Sequence, residues 1–231
     1  MIRRSGLLAT LWLILASVAT AQDRPVVVEL YTSQGCASCP PAVSFFRKNL
    51  ADRDDVIALA LHVDYWDYIG WKDSFAAPAY SARQKAFARA LGKRSVYTPQ
   101  MIVDGEDDVV GTYPDKVEGL IKAHKSALSP VDLKIERRGD KVWIAARSSV
   151  SVAMDVQLVR YVDEEIVNIR GGENAGRIMT YRNIVNDWKV VTKWNGDRPL
   201  NIETTAPGSA PVVVLIQRAG SGPILAAARL R

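Results

Sequence analysis

The sequence predicts an α/β domain followed by a β-rich, sandwich-like domain, behind a short apolar leader. Three observations carry that expectation. Two β-branched apolar runs, "PVVVELY" from Pro25 and "VIALALHVDYW" from Val56, bracket a segment with helical periodicity. Beyond Pro130 the chain turns to short alternating apolar and polar runs separated by turn signals. Ahead of both lies "MIRRSGLLATLWLILASVATAQ", with Arg3 and Arg4 before an apolar stretch and small residues at Ala19 and Ala21.

That order of charge, apolar run and small residues predicts a secretory signal peptide, residues 1–21, cleaved after Ala21. The mature protein is then expected to be periplasmic or secreted. The leader falls short of the roughly 20 apolar residues that a membrane-spanning helix needs, and no later segment approaches that length. No membrane span is expected in the mature chain.

The α/β domain is expected over residues 22–129. "PVVVELY" is β-branched and largely apolar, the mark of a strand covered on both faces. The loop "GCASCPP" follows, and then Val43, Phe46 and Leu50 recur at helical spacing. Asp52–Asp55 make a polar turn, and "VIALALHVDYW" closes a βαβ unit. A strongly aromatic stretch from Tyr65 to Tyr80 leads into a helix from about Tyr80 to Leu91, which Gly92 terminates. Thr98-Pro99 opens a strand over Gln100–Val103, and Asp104-Gly105 turns it into a hairpin. A helix from Lys116 to Leu128 ends this half, and Ser129-Pro130 marks the boundary. Residues 130–231 supply about seven strands, "VDLKIE", "KVWIAA", "DVQLVRYV", "EIVNI", "DWKVVTKW", "PVVVLIQ" and "ILAAARL", at the spacing of a β-sandwich.

The formal charge of +5 falls to +3 without residues 1–21, and no basic stripe tracks a phosphate backbone. Nucleic acid is therefore not an expected partner. The whole chain carries two cysteines, Cys36 and Cys39, separated by two residues. A cross-link that closes so short a loop removes little chain entropy, so a purely structural staple explains the pair poorly. An exported dithiol between a strand and a helix points instead to thiol–disulfide exchange. Cys36, nearer the start of the loop, is expected to attack, with Cys39 resolving the mixed disulfide. Pro40 and Pro41 disfavour helical geometry in the residues before them, so the helix is expected to begin late.

The blocks "VVELYTSQGCASCPPA", "ALHVDYWDYIGWKDSFAAPAYSARQ", "RSVYTPQMIVDG" and "GGENAGRIMTYRNIV" resemble those of a secreted bacterial thioredoxin-like family known as a domain of unknown function. The resemblance covers nearly the whole mature chain. It implies a thioredoxin-like fold followed by a β-rich segment, with Cys36, Cys39 and a cis-proline at Pro99 as the redox positions. Thr98 and Pro99 would then position a partner strand; Trp66, in the aromatic stretch from Tyr65 to Tyr80, reads equally as part of a rim that receives a peptide and as core beneath the helix that follows. The implied partners are a thiol- or disulfide-containing protein substrate and an unknown redox partner that recycles the dithiol. No organic cofactor and no metal are needed.

Two other classes compete. Cys36, Cys39 and His62 together are a donor set that suits copper, which would make the protein a copper carrier. A redox-inert module that binds through its aromatic rim is the second. His62 itself, within a buried strand, reads first as a core histidine with a satisfied hydrogen bond. Asp64 reads as a carboxylate that shuttles protons if it lies beneath the dithiol, and the "GGENAGR" turn is expected against the redox face.

Overall fold

The computed structural model describes residues 24–231. The leader falls outside the described residues. Among those described, no helix is long and apolar enough to cross a membrane.

Strand β1 (Val26–Thr32) is buried along its whole length, and so is β2 (Val56–His62), its parallel neighbour. Between them α1 (Pro40–Phe45) runs into a π-helical turn over Phe46–Leu50. Helix α2 (Pro78–Ala90) precedes the hairpin of β3 (Gln100–Val103) and β4 (Asp107–Val110), and α3 (Pro114–Lys125) follows it. Each of the three α-helices starts on a proline, whose missing N–H costs nothing in the first turn and whose fixed φ suits it. At the hairpin, Asp104 and Gly105 both take positive φ, 48° and 72°, the left-handed geometry that such a turn demands.

The remaining strands are β5 (Val131–Arg138), β6 (Lys141–Ser148), β7 (Met154–Asn168), β8 (Ile178–Trp194), β9 (Leu200–Thr205), β10 (Val212–Arg218) and β11 (Ile224–Leu230). They overturn the expected α/β thioredoxin-like domain with a separate β-rich domain. Strands β7, β8, β10 and β11 continue the sheet that β1–β4 begin, giving one mixed eight-stranded sheet in the order β11-β10-β7-β8-β2-β1-β3-β4. The physical reason lies at the outer edge of β2. A strand buried on both faces still presents a row of unpaired backbone groups at its edge, and β8 covers that row in parallel, with Ala60 opposite Ile184. Asn183, at φ 50°, fixes the junction by donating from Nδ2 to the carbonyls of Ala51 and Ala58. The protein is thus mostly β-rich, with short helices on its sheet.

Alternate residues of β1 serve two cores. Val26, Val28 and Leu30 pack with Ala42, Val43 and Phe46 of the α1 segment and with Val117 and Ile121 of α3. Val27 and Tyr31 pack on the opposite face with Tyr80 and Phe87 of α2. A smaller sheet, β5-β6-β9, lies over the β7, β10 and β11 end of the large one, joined through Ile144, Leu158 and Val214.

On the α2 face, Arg83 reaches across to Glu29 of β1. The guanidinium makes two hydrogen bonds to the carboxylate, at 2.8 and 2.7 Å, and lies 3.9 Å from the ring of Trp188. Tyr31 donates a third bond to the same carboxylate, at 2.8 Å. Glu29 is fully buried.

Candidate functional site

β1 ends at Thr32 and delivers the chain into the cysteine loop. Cys36 and Cys39 form a disulfide with their Cα atoms 5.4 Å apart. Cys39 caps α1, and the two prolines after it occupy the first helical turn, so the helix does begin late, as their sequence predicts. Cys36 therefore sits ahead of the helix, and its sulfur meets side-chain donors instead.

Those donors come from the next two connections. The Trp66 indole N–H donates to Thr98 Oγ1 at 2.8 Å, and the Thr98 hydroxyl donates to Cys36 Sγ at 3.2 Å. The Ser38 hydroxyl lies 3.4 Å from the same sulfur and donates to the Thr98 carbonyl at 3.3 Å. The Thr98-Pro99 bond is cis, as the resemblance implies. Cys36, Cys39, Thr98, Pro99 and Trp66 thus come together in one cluster. A hydroxyl polarised by an indole N–H and aimed at a sulfur stabilises that sulfur as a thiolate, since hydrogen bonds to an anion are the strong ones.

The loop is clasped from both sides. Gln34 donates its backbone N–H to Asp73 at 2.7 Å and accepts from the Trp71 indole at 2.8 Å. Gly35 is pressed so closely by Ile69 that a Cβ there would stand 3.2 Å from the Ile69 side chain. From the far side, Asn174 Nδ2 donates to the carbonyls of Gln34 and Cys36, both at 2.9 Å. The "GGENAGR" turn does lie against the loop, through Asn174, whereas Arg177 is exposed. Both cysteines are 1% exposed, while Ala37 and Ser38 between them are open to solvent. Tyr68, 81% exposed, stacks on Trp66 beside the loop.

His62 is buried at the end of β2. Its Nδ1 lies 2.7 Å from Asp73 Oδ2 and its Nε2 has no partner, so the expected satisfied histidine is only half satisfied. Burial pushes the Asp73 carboxyl up, but the His62 imidazole and the backbone N–H groups of Gln34 and Phe75 outweigh it and hold it below the usual carboxylate range. Asp64, by contrast, accepts from Ser81 on α2 and is only half-buried. Asp73, which sequence reasoning missed, is the buried carboxylate tied to this loop. As for the copper set, Cys36 and Cys39 are joined in a disulfide here, and among the described residues no three His, Cys, Asp or Glu side chains are grouped to hold a metal ion.

A family described as "Protein of unknown function (DUF1223)" matches residues 27–217, spanning the cysteine loop, both clasps and most of the large sheet. The chain belongs to the DUF1223 family. A crystal structure of an Agrobacterium tumefaciens protein is similar to this DUF1223 chain over 91% of its length and 96% of the other's, at 34% identity and a TM-score of 0.77. Among curated proteins nothing matches.

The hydrogen bonds at Cys36 give a first prediction for this DUF1223 protein. Thr98→Val keeps the shape of the side chain and removes its hydroxyl. The Cys36 thiol is then expected to become less acidic, because its thiolate loses a charge-assisted hydrogen bond. The pH dependence of Cys36 alkylation in the reduced protein measures this, and an unchanged profile would remove Thr98 from the account.

Proposed function

We propose that this protein is an exported thiol:disulfide oxidoreductase that exchanges its Cys36–Cys39 disulfide with a protein or peptide thiol. The observation that carries the reading is the asymmetry at the disulfide. The Thr98 hydroxyl donates to Cys36 Sγ and the Trp66 indole backs it, whereas Cys39 begins a helix whose first two residues are prolines. One sulfur is prepared to carry charge, and the other to act as its leaving group. The likeness to the thioredoxin superfamily enters through this loop chemistry alone, the Cys-x-x-Cys pair beside a Thr-Pro turn.

In the exchange, a substrate thiolate attacks Cys36 Sγ, the Cys36–Cys39 bond breaks, and Cys39 takes the electron pair. A second substrate thiol then releases the mixed disulfide, leaving two protein thiols and one substrate disulfide. Run backwards, the same steps reduce a substrate. The dithiol itself carries the two electrons, so no organic cofactor is required. Because both cysteines are 1% exposed, the partner has to move a cover to reach them. Trp66 and Tyr68 form the side of the loop where an apolar partner segment gains most by doing so.

The reduction potential of the pair tests the reading. Equilibration of the mature protein in glutathione buffers, followed by alkylation and intact mass, is expected to give a value between about −120 and −270 mV, the range of catalytic dithiols. A value below about −300 mV, where structural disulfides lie, would overturn the proposal.

A further inference from the structure

Burying a side-chain amide costs free energy unless its groups find hydrogen-bond partners, so a glutamine in a core invites the question of what it holds. The buried residues of α2 include Tyr80, Phe87 and Ala88 at helical spacing, and among them stands Gln84, 0% exposed. Its partners are Tyr65, Tyr97 and Gln100. The Tyr65 hydroxyl donates to Gln84 Oε1 at 3.0 Å, and Gln84 Nε2 donates to the Tyr97 carbonyl and to Gln100 Oε1, both at 2.8 Å. Gln100, itself buried, donates from Nε2 to Asp108 at 3.3 Å, and Asp108 pairs with Lys93 at 3.1 Å. That sequence of partners fixes both amides, since turning either would set oxygen against oxygen.

Two of these partners are neighbours in sequence of the residues that serve Cys36. Tyr65 precedes Trp66, and Tyr97 precedes Thr98. Among the described residues no backbone–backbone hydrogen bond ties Arg94–Thr98, so side chains locate this segment. The Trp66 indole holds the Thr98 hydroxyl, Ser38 holds the Thr98 carbonyl, and Gln84 holds the carbonyl before it. The Thr98 hydroxyl stands 3.2 Å from Cys36 Sγ, and a hydrogen bond weakens steeply as its donor drifts out of line.

We infer that Gln84 is a positioning residue for thiol exchange: from α2 it holds the Tyr65–Trp66 and Tyr97–Thr98 segments together and so keeps the Thr98 hydroxyl aimed at Cys36 Sγ. This rests on the exchange reading above. Gln84 makes no hydrogen bond to either sulfur, and its effect passes through Thr98. Loosening it lets the hydroxyl drift, and the Cys36 thiolate then loses its donor. The phenols of the network stay neutral where thiols titrate. Burial pushes Tyr65 up to about 12, although Gln84 and Thr98 offset part of the rise, and burial together with Asp108 raises Tyr97.

The test is the rate at which iodoacetamide alkylates Cys36 in the reduced full-length mature protein, followed against pH and located by peptide mass. Gln84→Met keeps the length of the side chain and removes its amide. At neutral pH the rate is expected to fall about threefold, part of the roughly tenfold that loss of a whole hydrogen bond to an anion gives. Above the ordinary thiol pKa of about 8.5 it should rejoin the rate of the unmodified protein, because both thiols are then ionised. In a Thr98→Val background Gln84→Met is expected to change nothing further, since the residue it acts through has lost its donor. An unmoved profile, a loss that persists at high pH, or a loss that adds in full to that of Thr98→Val would overturn the inference. Should Gln84→Met not fold, Tyr65→Phe decides by the same profile: it takes one hydroxyl from the same network, and it has to slow alkylation at neutral pH with recovery at high pH. An unchanged Tyr65→Phe profile would refute the assignment. The exchange reading fails separately, by a potential below about −300 mV in the unmodified protein, whichever way Gln84→Met behaves.

Discussion

Cys36→Ser is expected to abolish disulfide exchange, whereas Cys39→Ser is expected to keep the first attack and accumulate a mixed disulfide at Cys36. The two sulfurs are adjacent in a single bond, yet their surroundings differ. The Thr98 hydroxyl, held by the Trp66 indole, stabilises charge on Cys36 Sγ. Cys39 begins a helix whose first two residues are prolines and offer no N–H. A thiolate is the attacking species, so the sulfur with donors is the one that reacts with an outside partner. Intact mass after incubation with oxidised glutathione separates the outcomes. Cys39→Ser should gain one glutathione and Cys36→Ser none; equal labelling of the two variants would remove the asymmetry on which the mechanism depends.

Arg83→Ala is expected to cost about 3–5 kcal/mol of folding stability, because it leaves a buried carboxylate without its cation. Glu29 is fully buried on β1 and takes two hydrogen bonds from Arg83. A loss of that size is a large part of the roughly 5–15 kcal/mol that holds a domain folded. Urea denaturation reads it directly. Combining Arg83→Met with Glu29→Gln should recover much of the loss, since removing both partners leaves no uncompensated charge. If the single losses simply add in the double variant, the ion pair is not their source. The pair lies on the α2 face of the sheet, away from the cysteines, so variants that still fold should keep the Cys36 thiol chemistry.

Local features of the fold were legible where one residue type forces one geometry. Pro40 and Pro41 delayed α1, Asp104-Gly105 made the β3–β4 hairpin, and the largely apolar β1 and β2 proved buried on both faces. What could not be read was which strand lies beside which. The apolar pattern of β2 reports its faces and is silent about its edges, so nothing in it announces β8. Strand β7 read as two pieces because Asp163, Glu164 and Glu165 interrupt its apolar run, although the backbone continues through them. Strand β9 was missed because "LNIETT" contains no fully buried residue.

The site divides in the same way. Cys36, Cys39, Thr98, Pro99 and Trp66 were found through spacing and resemblance, and the structure gathers them. Asp73 carried no signal, since it is a single carboxylate within an aromatic stretch. Its burial follows from partners distant in sequence, the backbone N–H of Gln34 and the ring of His62. Asn174 was visible only as part of a turn, and its role depends on a carbonyl 138 residues earlier.

That last separation has a consequence for biogenesis. The ribosome releases the cysteines long before it makes the turn that closes over them, and β8, which screens the open edge of β2, comes later still. During that interval the nascent chain presents a bare dithiol on an unfinished sheet, open to any oxidant or foreign thiol it meets.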